Sequence, residues 1–234
     1  MSQLQAWVRR ALWDVVPRDH RQSGPELRRR RLVTAGVVVL GAVILGFSLR
    51  VDPGSRWFYV LTLGLAGLWT VGAFASGPLH LGRIPDRQGT SRPVVTPIVL
   101  GLLLAAIFVA GAFLVRTLAF LDGLEAQVMK VTDYADQGST PLLVLVTAVS
   151  GIAEELFFRG AAYAAITEHP VPWTTAAYVV ATAATGNVML TFAALLLGVV
   201  VGLERRASGG ILGPILTHCT WSLTMLFALP LVFS

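Results

Sequence analysis

PLLVLVTAVSGIAEELFFRGAAYAAI, residues 141–166, reads as a membrane-buried helix that carries three charges. Glu154, Glu155 and Arg159 sit near its middle. At bilayer depth each charge costs about 3 kcal/mol on insertion scales. Such groups persist where they pair, line a polar cavity or do chemistry. The apolar run therefore defines the surrounding solvent, and the charges mark where function is to be sought.

The rest of the chain agrees. Of its 234 residues, 55% are hydrophobic and 13% charged, and the mean hydropathy is +0.70. Soluble domains are about one quarter charged. The composition excludes an ordinary soluble domain and points to an all-α polytopic membrane bundle. Apolar runs at 32–49, 57–76, 94–121, 141–166, 173–185, 188–203 and 211–233 give about seven spans. The fifth has 13 residues and the sixth 16, against about 20 for a full crossing. They read either as a re-entrant hairpin joined at Gly186-Asn187 or as two tilted helices.

Three regions follow: a basic segment 1–31, N-terminal transmembrane helices over 32–136, and a core over 137–234 that holds the charged motifs. In the first, Leu4, Trp7, Val8, Ala11, Leu12 and Val15 recur at helical spacing. They fit an amphipathic helix on the membrane surface, with a disordered basic tail as the alternative. Eight arginines precede residue 32. Ahead of a spanning helix they point to anionic lipids as partners rather than nucleic acid. Arg83, Arg87, Arg92, Arg205 and Arg206 fall on the same side as the N-terminus if there are seven spans. Asp122, Glu125, Asp133 and Asp136, with Lys130, fall on the other. The expected placement is a multi-pass protein of the cell membrane with a cytoplasmic N-terminus. No cleavable signal peptide is expected. The single cysteine, Cys219, forms no intramolecular disulfide and reads as a packing residue.

On a helix, Glu155 and Arg159 lie four residues and about 40° apart and can neutralise each other. Glu154 is turned about 100° from Glu155 and is left available to a cavity. It can act as a general base on water. A structural ion-pair network is the other reading. In ILGPILTHCTWSL, His218 and Ser222 share a helix face. They can stabilise an oxyanion, or His218 can ligate a metal or bond between helices. With a cytoplasmic N-terminus, the glutamates and His218 lie roughly 10–18 Å below the inner edge, at ~1.5 Å per residue. They can therefore meet.

The run EELFFR resembles the EExxxR motif of the CPBP intramembrane proteases, which include CAAX prenyl endopeptidases and bacterial Abi-type proteins. GVVVGLERRASGGILGPILTHCTWSL resembles the end of that domain, which leads into HxxxN or HxxxD. The resemblance covers residues 140–228. It implies a membrane-embedded peptidase in which Glu154 activates water, Glu155 and Arg159 brace the site, and His218 helps to stabilise the oxyanion. A membrane-associated protein or peptide would be the substrate. The family's middle motif, FxxxH, corresponds to YVVATAATGN. Tyr178 stands in the Phe position and Thr182 in the His position, with Asn187 closing the stretch. Ser222 ends the last motif in place of Asn or Asp. With one histidine, zinc would have to rely on two adjacent glutamates, so no zinc or other cofactor is expected. The alternative to a peptidase is a weak or inactive relative that binds a membrane peptide or acts as a scaffold.

Overall fold

The computed structural model describes residues 2–18, 20–48, 51, 55–86, 89–118, 123–129 and 139–233. The residues Asp122, Lys130, Asp133 and Asp136 of the expected acidic loop lie outside them, as do Arg50 and Arg87.

Helix α1 spans Gln3–Leu12, α2 Gly24–Ser48 and α3 Arg56–Ser76. A short antiparallel hairpin follows, β1 Ile84–Asp86 with β2 Gly89–Ser91. Helix α4 spans Val95–Thr117, and α5 is a short helix over 123–129. Helix α6 runs Thr140–Ala165, α7 Pro170–Ala183, α8 Val188–Ser208 and α9 Leu212–Phe233. Among the described residues, α2, α3, α4, α6, α8 and α9 are long and apolar enough to cross a membrane. The protein is an all-α polytopic bundle.

The fifth expected span, 173–185, is α7, and it is not among these six. Its 14 residues reach only about 21 Å at ~1.5 Å per residue. It packs closely on α8 as one arm of a hairpin. The turn between them uses Gly186 at φ 73. Asn187 caps α8 by accepting from the Leu190 N–H at 3.0 Å and donates to the Gln127 carbonyl of α5 at 2.8 Å. The hairpin tip thus reaches the end of the bundle where α5 lies. The stretch 173–203 thus forms two helices of unequal length joined at Gly186-Asn187.

Burial separates centre from rim. The α8 span is 44% buried and the α6 span 39%, against 17% for α2. The two central helices carry the buried charges Glu155, Arg159, Glu204 and Arg205, and Arg30 is buried in the first turns of α2. The core forms around Phe157, Phe158 and Ala161 of α6, with Trp69 of α3 and Val37 of α2 against them. Trp69 and Phe157 stack at 4.4 Å between ring centroids. Outward apolar side chains such as Val39, Val71, Ile107 and Val180 are exposed, as they would be toward lipid.

Two expectations at one end of the bundle change. The arginine run 28–31 does not precede the first helix; it forms the first turns of α2. Its side chains satisfy helix ends that would otherwise lack donors. Arg29 donates to the Ala75 carbonyl at 2.9 Å, and Arg31 to the Ala165 carbonyl at 3.1 Å. The helix of the apolar run 188–203 also extends further than that run, since α8 continues through Ser208. The N-terminal segment lies on that last turn. Val16 N–H donates to the Ala207 carbonyl at 3.0 Å, Arg18 donates to the Arg206 carbonyl at 2.7 Å, and Arg206 sits over the Trp13 ring at 5.2 Å.

A backbone clasp closes the same end. Ile211 and Leu212 N–H donate to the His80 and Leu81 carbonyls at 2.9 and 3.2 Å, and Arg83 N–H to the Ser208 carbonyl at 2.9 Å. A Cβ on Gly210 would stand 1.9 Å from the Gly82 nitrogen, so only glycine fits there.

Candidate active site

The motif EELFFR is not plain α-helix. From Glu155 to Ala162 the backbone takes the wider π-helical register, and every residue of that stretch is buried. Such segments are rare and concentrate at functional sites. Glu155 and Arg159 still face each other across four residues, with Arg159 Nη1 3.0 Å from Glu155 Oε1. Both side chains are fully buried.

His218 reaches the same carboxylate oxygen. Its Nδ1 is 2.8 Å from Glu155 Oε1, and α9 thereby meets α6 inside the bundle. One glutamate thus joins a cation and an imidazole. Arg159 also donates to the Gly198 carbonyl of α8 at 3.4 Å. A Cβ at Gly198 would lie 3.4 Å from the guanidinium and 3.0 Å from Thr175, so a side chain here would crowd the pair. The Arg159 guanidinium lies over the Tyr178 ring at 4.9 Å, and Arg205 of α8 donates to the Arg159 carbonyl at 2.7 Å. Four helices therefore hold one ion pair.

The neighbouring glutamate differs. Glu154 is only half-buried. Its carboxylate lies among Tyr178, His218, Glu155 and Arg159. The ring of Tyr178 lies 6.3 Å from that of His218. Among the sequence-selected residues, Glu154, Glu155, Arg159, Tyr178 and His218 thus come together. Ser222 stands one helical turn beyond His218, also half-buried. Thr182 is one turn beyond Tyr178 and donates its hydroxyl to the Tyr178 carbonyl at 3.0 Å. Asn187 is at the far hairpin tip, where it caps α8. Among the described residues, no three His, Cys, Asp or Glu side chains converge as a metal centre would.

Sequence reading missed Glu204 and placed Arg205 only among the basic residues of one side, whereas they are 3% and 5% exposed. A signal was present. Leu197, Val201, Glu204 and Ser208 continue one helical stripe at intervals of four, three and four, and all are buried.

Buried carboxylates, a histidine and arginines inside apolar helices define a polytopic membrane protein with a polar site between its spans. Against protein-family models, residues 136–224 match the family described as type II CAAX prenyl endopeptidase Rce1-like. That segment holds every residue of the site, and it is similar to that endopeptidase family. Searches of curated proteins and of solved structures returned no significant match.

Proposed function

We propose that the protein is an endopeptidase of the cell membrane that cleaves a membrane-associated peptide with glutamate-activated water. The observation that carries this reading is the division between adjacent carboxylates. Glu155 is sealed and committed to Arg159 and His218. Glu154 is partly open beside them.

In this reading Glu154 takes a proton from water, and the oxygen attacks the peptide carbonyl. The oxyanion forms beside His218. With both ring nitrogens protonated, Nδ1 donates to Glu155 and Nε2 is left to donate to the oxyanion. The Ser222 hydroxyl, one turn away, is a second donor. Glu154 then returns its proton to the leaving amine. Tyr178 braces the Glu154 carboxylate, and Arg159 holds Glu155. The N-terminus is cytoplasmic, because the arginines of 9–31, Arg83, Arg92, Arg205 and Arg206 gather at one end of the bundle.

The test uses the full-length protein in proteoliposomes with a fluorogenic peptide ending in a prenylated Cys-aliphatic-aliphatic-X sequence. Glu154→Ala should lower the rate by a factor of about 100 to 10,000, with an unchanged melting temperature. Equal rates for wild type and variant would refute the glutamate mechanism.

A second reading, a slow or silent relative that binds without cutting, is favoured by Thr182. Its hydroxyl is spent on its own helix, so it supplies no second proton acceptor. Thr182→His should then raise turnover on the same peptide. A folded variant with no gain would count against Thr182 occupying the catalytic histidine position.

A further inference from the structure

The end of the bundle where α3 and α8 finish holds a second group of buried cations. Arg30 and Arg205 are 2% and 5% exposed, and neither hydrogen-bonds a carboxylate among the described residues; Glu26, one turn before Arg30 and exposed, acts on it only through its field. Arg30 donates only to neutral oxygens: Gln22 Oε1 at 2.7 Å, Ser76 Oγ at 3.3 Å and the Pro78 carbonyl at 3.0 Å. Arg205 uses its Nε on the Arg159 carbonyl and lays its guanidinium over the Tyr163 ring at 4.7 Å. Its terminal nitrogens meet no protein acceptor among the described residues.

Both arginines line a partly enclosed cavity of ≈ 50 Å³ that has no acidic side chain in its wall. His20 and His80 complete it, with their rings stacked 3.7 Å apart and 9° from parallel. Burial, and then the fields of Arg205 and Arg30, push His80 below the ordinary histidine value. Buried charges are ordinarily paired, and forked guanidinium donors match the oxygens of phosphate. One water needs roughly 10–15 Å³, so the cavity has room for a single tetrahedral oxyanion. It sits at the end of the bundle that carries Arg18, Arg29 and Arg31, among the donors that would meet lipid headgroups.

We propose that this cavity is a binding site for a phosphate group, borne by a lipid headgroup or by free inorganic phosphate. The site is distinct from the glutamate site and adjoins it through Gly160 in its wall and the Arg205 bond to the Arg159 carbonyl. It stands whether or not the protein is a peptidase. A phosphate there would neutralise Arg30 and Arg205 together and tie the N-terminal segment at His20 to the ends of α3 and α8.

The experiment places the full-length protein in zwitterionic nanodiscs in chloride buffer and follows thermal unfolding. One arm adds inorganic phosphate, and the other replaces part of the lipid with phosphatidic acid. Stabilisation in either arm is expected, and the responding arm names the source. Arg30→Gln and His80→Ala should each raise the half-saturating concentration about tenfold, the loss of one charge-assisted contact. Arg10→Gln, exposed on α1, should leave it unchanged. If Arg30→Gln does not fold, His80→Ala decides alone. No stabilisation beyond that of matched chloride and zwitterionic lipid, or equal responses in wild type and His80→Ala, overturns the proposal.

Discussion

Arg159 and Arg205 are two buried arginines on adjoining helices, yet they are held in opposite ways. Arg159 is neutralised by a carboxylate one turn away on its own helix, which also holds His218. Arg205 meets a backbone carbonyl and an aromatic face, and its neighbour Arg30 meets only neutral oxygens. The first arrangement is self-contained and locks α6, α8 and α9 together. The second holds its charges without a hydrogen-bonded carboxylate among the described residues. Burial alone therefore does not distinguish a structural cation from one that awaits a ligand; the partner does.

The comparison can be broken from either side. The largest effect should come from Glu155→Ala, which leaves Arg159 charged, buried and unpaired. Breaking a buried pair on one side costs about 3–5 kcal/mol. Thermal denaturation in detergent should show that loss, and a shift no larger than that of an exposed control such as Arg10→Ala would mean that the pair does not hold the helices. Arg30→Met should cost less, about 1–2 kcal/mol, because it removes hydrogen bonds without stranding an opposite charge. A loss as great as that of Glu155→Ala would erase the distinction between the two regions.

The smallest effect is a pH dependence. His80 is held below its ordinary value of 6.5 by burial and by Arg205 and Arg30. The folded state therefore binds the proton less readily than the unfolded chain. The stability linked to His80 is complete above about pH 6.5 and falls as pH drops below it, toward the folded-state value. Melting temperatures of wild type and His80→Ala should converge as the buffer is acidified. Parallel curves would remove His80 as the cause.

Much of the central site could be read in advance. The four-residue spacing gave the Glu155–Arg159 pair, because α and π registers both bring such residues to one side. The shared depth of His218 also held, because helical rise converts position into distance. What could not be read were choices made between helices. Nothing local told which glutamate His218 would bond, or that the backbone would take the π register over Glu155–Ala162. Asn187 looked like a site residue because it closes a motif, but its side chain is a helix cap. The run at 28–31 looked like a surface patch because charge density carries no record of which carbonyls lie opposite. Those acceptors are 46 and 134 residues away in sequence.

The clasp between residues 80–83 and 208–212 acts as a depth stop for α9. It pins the first turn of that helix to the connection after α3 through backbone atoms, where no side chain can adjust the fit. His218 stands six residues further in, so its height opposite Glu155 is measured from this stop. A one-residue insertion at Gly82 would thus be felt as a histidine out of step with its carboxylate, although the insertion itself would lie outside the spans.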